Sequence, residues 1–333
     1  MMAPPMGRLL AVFVLLLASC HDGALEGAGT PCSIDGPCRA GFVCVAGQCR
    51  PPDSIAAGAR PCKHSQPFAS VALVSSIVGA PGDFDGAAQL TPDELRVYFT
   101  SSRHGPHMIL RGSRESRFAD FSSLVILAAA DGNVVDVNPT VTGDGLTMFV
   151  ESAWGPNDST IRFWKHSPGG WLAPQELPQL AHGAAIVDGR PYVLAKGDVL
   201  YFQSNREGRL QIFRTAEDTS GTWSKPALAS GFSTDLAFSP VVTEDDMTMY
   251  FASDRGKVEE AAAAGGVPEP GDYDIWMAER PTSGEPFASP TRVEGINTTL
   301  GETPSWISPD ACRLYFSRRI GNTGQSQIHM ATR

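Results

Sequence analysis

Five copies of one short aromatic strand decide the fold. They are Tyr98-Phe99-Thr100-Ser101-Ser102-Arg103, Phe149-Val150-Glu151-Ser152, Tyr201-Phe202-Gln203-Ser204-Asn205-Arg206, Tyr250-Phe251-Ala252-Ser253-Asp254-Arg255 and Tyr315-Phe316-Ser317-Arg318-Arg319. The steps between their leading aromatics are 51, 52, 49 and 65 residues. The long step contains the Ala-, Gly- and Pro-rich run 257–271, which reads as a loop insertion. Ala88, Pro139, Pro191 and Pro240 stand ten residues before the aromatic, and Pro304 stands eleven before it. Between marker and aromatic lie Thr91-Pro92-Asp93-Glu94, Thr142-Gly143-Asp144-Gly145, Thr243-Glu244-Asp245-Asp246 and Ser308-Pro309-Asp310-Ala311. These read as hairpin turns, because Asp bonds its own backbone and Gly tolerates positive φ. A third strand follows each copy, as in Gln211-Ile212-Phe213 and Gln327-Ile328-His329. A fourth element recurs at Phe68-Ala69-Ser70, Phe118-Ala119-Asp120, Trp171-Leu172-Ala173, Trp223-Ser224-Lys225 and Phe287-Ala288-Ser289. Four short strands at a period of about fifty residues form a propeller blade. No apolar spacing of 3.6 is sustained, which excludes helical repeats.

The expected fold is therefore all-β: a five-bladed β-propeller over residues 62–333. The first copy of the fourth strand precedes any complete unit, and the last unit stops after its third strand. Phe68 to Val74 would then complete the blade begun at Glu302, closing the ring with strands from both ends and removing a sheet edge. Cys62 and Cys312, 250 residues apart, fall at that seam and are expected to form a disulfide latch.

Residues 1–19 read as a signal peptide. Arg8 gives a positive start, and Leu9–Leu17 is an apolar run of nine residues, too short to span a bilayer. Leu17-Ala18-Ser19-Cys20 resembles the bacterial lipobox, which implies lipidation of Cys20 and export to the cell envelope, with the outer membrane as the expected site. No other stretch is long and apolar enough to span, so the lipid would be the only membrane contact. Residues 20–50 carry Cys32-x5-Cys38-x5-Cys44-x4-Cys49, too short a module to bury a core. Those spacings do not match paired zinc ligands, so two disulfides are expected, with the connectivity open among three choices. Residues 51–61 form a linker.

The last two blades carry a family resemblance. Gly295-Ile296-Asn297-Thr298, Glu302-Thr303-Pro304-Ser305-Trp306-Ile307-Ser308-Pro309-Asp310 and Leu314-Tyr315-Phe316-Ser317 resemble the TolB-like, or WD-like (PD40-type), β-propeller repeat. Gly271-Asp272-Tyr273-Asp274-Ile275-Trp276-Met277-Ala278-Glu279-Arg280 is similar to that family's third strand. The second and third blades depart from the pattern: Pro191-Tyr192-Val193-Leu194 lacks the Ser-Pro-Asp-Gly turn. The resemblance implies a bacterial envelope propeller acting through protein–protein contacts, and it transfers no catalytic residue.

Removing residues 1–19 takes away Arg8 and leaves 25 basic against 36 acidic residues, a net of −11 (25 − 36). Nucleic acid is thereby excluded as a partner. No nucleophile elbow, P-loop, dinucleotide fingerprint or zinc-protease motif occurs. His104 and His107 lack a carboxylate at a useful offset and read as a loop pair, so no metal or cofactor is expected. Trp154 and Trp171 could suggest a glycan platform; Trp171 belongs to a repeating strand and reads as packing. Asp85, Asp136 and Asp188 each lie three residues before the Ala/Pro marker, with Asp235 and Glu302 close to that position. They could ring one mouth of the channel as a polar-ligand or glycosidase-like site. The structural alternative has each bond the backbone amides of an adjacent blade. The expected function is a monomeric protein-binding or scaffold module without catalysis; the alternative is a glycan-binding or glycoside-active propeller.

Overall fold

A Tyr-Phe pair within a strand points its two rings to opposite faces of the sheet. A strand that buries both must therefore be covered on both sides. In the computed structural model, Tyr98, Phe99, Tyr201, Phe202, Tyr250, Phe251, Tyr315 and Phe316 are all at most 2% exposed. Each sheet is thus sandwiched between two neighbours. The structure describes residues 62–333, apart from 129–133, 156, 181–184, 230, 232–235, 258–259, 261–262, 264–271 and 322, and in addition the backbone of 43–45 and 48–50.

Strands β1 (Val43–Val45) and β2 (Gln48–Arg50) form a small hairpin that sets the Cys44 and Cys49 backbones opposite one another. Their side chains, together with Cys20, Cys32 and Cys38, lie outside the described residues. Strand β3 (Ser70–Leu73) precedes the first full blade. Blade 1 is β4 (Asp85–Leu90), β5 (Arg96–Ser101), β6 (Met108–Ser113) and β7 (Ser122–Ala128). Blade 2 is β8 (Val135–Val141), β9 (Thr147–Gly155) and β10 (Asp158–Ser167), edged by the short β11 (Gly170–Trp171) and β12 (Gln175–Glu176). Blade 3 is β13 (Asp188–Val193), β14 (Val199–Ser204), β15 (Gln211–Ala216) and β16 (Ala227–Leu228). Blade 4 is β17 (Phe238–Val242), β18 (Thr248–Ser253), β19 (Asp274–Glu279) and β20 (Ala288–Arg292). Blade 5 is β21 (Glu302–Ile307), β22 (Arg313–Arg319) and β23 (Ser326–Thr332), with β3 outermost. The fold is a five-bladed all-β propeller, closed as expected.

Closure is specific in register. Strand β3 pairs antiparallel with β23, from Thr332↔Ser70 to His329↔Leu73. Cys62 and Cys312 form a disulfide with Cα atoms 5.1 Å apart. The Cys62 amide also donates to the Asp310 carbonyl at 2.9 Å. Gly295, at φ +83°, lies against the Phe68 backbone, where a Cβ would run into the Phe68 carbonyl.

The turn joining first and second strands repeats in chemistry as well as sequence. In blades 1, 2, 4 and 5 a Thr or Ser hydroxyl donates to the Asp two residues on: Thr91 to Asp93, Thr142 to Asp144, Thr243 to Asp245 and Ser308 to Asp310. The same Asp oxygen accepts the amide two residues further along, at Leu95, Leu146, Met247 and Cys312. The residue after the Asp is left-handed in every case (Glu94 φ 62°, Gly145 69°, Asp246 62°, Ala311 57°), and Gly197 (88°) occupies that place in blade 3. Alanine is strained there and its methyl makes no compensating bond. Ala311→Gly is expected to stabilise by about 0.5–1 kcal/mol, the relieved strain exceeding the added chain entropy. A fall in thermal midpoint would contradict this.

One sequence assignment is corrected. Phe118 is 87% exposed, whereas Phe121, three residues on, is 4% exposed and in the core. Phe121 lies under Arg114 at 4.3 Å, as Phe287 lies under Arg280 and Phe68 under Arg333, both also at 4.3 Å. Phe121 is therefore blade 1's counterpart of Phe68 and Phe287.

Candidate functional site

The loops entering each innermost strand and those joining second to third strands share one face, called upper here. The turns joining first to second strands share the lower face with the Cys62–Cys312 seam. The insertion between β18 and β19 opens on the upper face, and Lys257 near its start reaches Asp272 (3.2 Å) and Asp274 (3.3 Å) near its end.

The carboxylates expected at the channel mouth do start the innermost strands, but their side chains turn into their own blades. Asp85 pairs with Arg103 at 2.6 Å and accepts the Gly79 amide at 2.6 Å. Asp136 pairs with Arg162 at 2.9 Å and accepts from Ser152. Asp188 pairs with Arg206 at 2.5 Å. Glu302 pairs with Arg318 at 2.8 Å and accepts both the amide and hydroxyl of Thr298. Burial pushes the Glu302 carboxyl above its usual range, against the pull of Thr298 and Arg318. Asp235 lies outside the described residues. The expected bonding to adjacent-blade amides is corrected accordingly: the main partner of each described carboxylate is an arginine of the same blade.

Blades 3 and 4 are joined by a lower-face cluster that the sequence reading missed. Arg280 of blade 4 donates to the Tyr201 hydroxyl of blade 3 (2.8 Å) and pairs with Asp246 (2.6 Å), which also accepts from Tyr201 (2.5 Å). Burial, then Asp246, raises the Tyr201 pKa above its ordinary value. At the blade 5–blade 1 junction, Glu94 takes the place of Asp246 and pairs with Arg313 of blade 5 at 2.5 Å. In all three, the arginine Nε donates to the carbonyl of the left-handed turn residue: Arg114 to Glu94, Arg280 to Asp246 and Arg333 to Ala311. At the blade 4–blade 5 junction that residue is Ala311 and supplies no carboxylate, as Gly145 and Gly197 supply none in blades 2 and 3; the latch, within blade 5, lies beside Ala311. A signal was legible in the spacing: Arg114–Phe121 and Arg280–Phe287 are each seven residues apart.

The central channel is almost filled. Every innermost strand carries a β-bulge, at Gly86/Gln89, Val137/Thr140, Gly189/Tyr192, Phe238/Val241 and Pro304/Trp306. This accounts for the Pro markers, since a bulge on an edge strand tolerates a missing amide. In four blades the residue before the marker is left-handed: Ala87, Asn138, Arg190 and Ser239. These line the throat with the markers and with Gln89 and Ser305, leaving a volume of about 20 Å³, room for about one water. The Ser239 hydroxyl is buried and finds no hydrogen-bond partner among the described residues.

Above the throat the channel opens on the upper face into a cavity of about 180 Å³. Phe84, Phe238 and Tyr273 supply its walls, Phe238 and Tyr273 meeting edge-on at 4.8 Å. Arg190 forms the floor and Arg319 part of the rim, and no carboxylate lines it among the described residues. Burial lowers the Arg190 pKa, opposed by the Glu151 charge. His107 stacks on Phe84 at 4.8 Å, and burial lowers its pKa. Trp171 packs at the junction of blades 1 and 2, while Trp154 is 43% exposed beneath the Arg162 guanidinium.

Fold and site together define a β-propeller with a closed throat and an arginine-and-aromatic mouth. No family model and no curated protein sequence matches the chain. Among solved structures it is similar to TolB from Acinetobacter baumannii, at 14% identity over 75% of this chain and 55% of that one, with a TM-score of 0.48. It is also similar to a thermostable family-43 glycoside hydrolase, at 13% identity over 76% and 89%, with a TM-score of 0.46. The chain thus spans about half the length of that TolB. At these identities the likeness concerns fold alone.

Proposed function

We propose that this chain is a lipid-anchored envelope propeller that holds a protein partner on its upper face. One observation carries the reading. The described inner-strand carboxylates are bound within their blades, while the cavity at the described channel mouth presents guanidinium and aromatic groups. Glycoside hydrolysis needs two carboxyl groups flanking the scissile bond. The described mouth offers recognition groups instead. The fold likeness to both TolB and a glycoside hydrolase is neutral between the two.

The lipid reading rests on Leu17-Ala18-Ser19-Cys20, and the hairpin and linker would hold the disc off the membrane. Photo-cross-linkers at His104 and Glu207, exposed in upper-face loops, should each trap the same discrete protein in intact envelopes. A cross-linker at Ser220, exposed on the lower face, should not. Equal adducts from both faces would count against the reading. Cys20→Ser should move the protein from the membrane to the soluble fraction and abolish palmitate incorporation.

A further inference from the structure

The ring uses its arginines. Arg103, Arg162, Arg206, Arg280, Arg313 and Arg318 each close on a carboxylate. Arg190 does not. Its backbone amide donates to Glu151, whose carboxylate also takes the Asn138 amide group. The Arg190 guanidinium feels the charges of Glu151 and Tyr273 but makes no side-chain hydrogen bond and no ion pair within 4 Å among the described residues. It projects into the channel between throat and mouth. Arg190 is held at φ 45° immediately before Pro191, a doubly unfavourable backbone. The equivalent residues in three other blades are Ala87, Asn138 and Ser239, so the ring does not require a long cation there. A partly desolvated cation on a strained backbone thus closes no hydrogen-bonded ion pair within the ring.

We propose that the upper mouth binds a carboxylate carried on an apolar group of about one residue's size, with Arg190 pairing to the carboxylate and Phe84, Phe238 and Tyr273 enclosing the rest. Size sets the first limit. The cavity of about 180 Å³ is below the roughly 300–1,000 Å³ of pockets for drug-sized ligands. Charge sets the second, since two arginines line the cavity with no described carboxylate. The walls set the third. Three aromatic rings enclose an apolar group, while a carboxylate presents one polar edge and matches the planar guanidinium. The closed throat stops the ligand at the mouth, and the unpartnered Ser239 hydroxyl suits a single bridging water beneath it. The carboxylate can belong to a free small acid or to the end of a polypeptide. The site rests on the reading of the upper face as the binding face.

The test titrates the purified full-length protein with N-acetyl-phenylalanine and with its neutral amide, followed by NMR shifts. Saturable binding on the order of 1 mM is expected for the acid, with at least tenfold weaker binding of the amide. Arg190→Met should weaken binding at least tenfold while the thermal midpoint holds or rises, because a desolvated cation is removed. Should that variant not fold, Tyr273→Ala, altering a half-buried wall, should also weaken binding. A seven-residue glycine–serine peptide ending in phenylalanine separates the sources: tenfold tighter binding than the acid indicates a chain end, equal binding a free acid. No saturation by about 20 mM, equal affinity for the amide, unchanged binding in both variants, or preference for glucuronate would each overturn the site. Such a failure would leave the cross-linking result on the protein partner untouched.

Discussion

Replacing Cys62 and Cys312 together by serine is expected to lower stability by about 4–5 kcal/mol and the thermal midpoint by roughly 10 °C. The disulfide spans 250 residues, so in the chain-entropy model it removes a large share of the unfolded chain's freedom. It ties the segment leading into the closing strand to the lower turn of the same blade, beside the blade 4–blade 5 junction. Blades 3 and 4 are joined through Tyr201, Asp246 and Arg280, and blades 5 and 1 through Arg313 and Glu94. At the blade 4–blade 5 junction, Ala311 offers only its carbonyl. Arg333 there donates to the Ala311, His64 and Gln66 carbonyls and to the Tyr250 hydroxyl at 2.6 Å. These bonds are partly exposed and exchange readily for water, so they replace little of what the covalent bond supplies. Reducing agent should destabilise the wild type to the same extent and leave the double serine variant unchanged. Hydrogen exchange should localise the loss first to Ser70–Leu73, the outermost strand of blade 5. If the serine variant melted within about 2 °C of wild type, the β3–β23 pairing alone would suffice to close the ring.

The parts of this molecule legible in sequence were those encoded by short-range pattern. The Tyr-Phe strands announced sheets buried on both sides, and the Thr/Ser-x-Asp turns announced hairpins, because each signal sits within six consecutive residues. The closing strand and latch were legible by subtraction, as unpaired pieces at two ends of one repeat. Function-bearing partners were harder to read. Asp85 and Asp188 each find their arginine 18 residues away, and Asp136 finds its own 26 away. The clue for the first two was the Ser-x-Arg ending the strand copies of blades 1 and 3, Ser101-Ser102-Arg103 and Ser204-Asn205-Arg206, where the serine hydroxyl takes the arginine Nε at 2.9 and 3.0 Å. Phe118 and Phe121 could be told apart only by burial. Arg190 hid in plain alignment, one residue before a Pro marker, where a single chain offers no contrast except with its own repeats.

Those repeats also single out the most consequential side chain of the lower face. Arg280→Met is expected to cost about 3–5 kcal/mol, the range for breaking a buried ion pair by removing one partner. The Arg280 side chain is 2% exposed and that of Asp246 10%. Besides Asp246, it binds the Asp246 and Glu285 carbonyls and the Tyr201 hydroxyl, and it covers the Phe287 ring. Methionine can replace the packing over Phe287 but none of the four polar bonds, and it leaves Asp246 with the more distant Arg214 at 3.5 Å. Asp246→Asn should cost less, because a neutral partner still accepts from Tyr201. Combined, the two changes should destabilise by less than their sum, since no unpaired charge then remains buried. Arg333→Met, the same position at the seam, should cost only about 1–2 kcal/mol, as it strands no carboxylate. Urea unfolding of the four variants measures the ordering directly. Were Arg333→Met as damaging as Arg280→Met, the penalty would belong to the carbonyl and tyrosine bonds that the two arginines share, and the carboxylate would not be what binds blade 4 to blade 3.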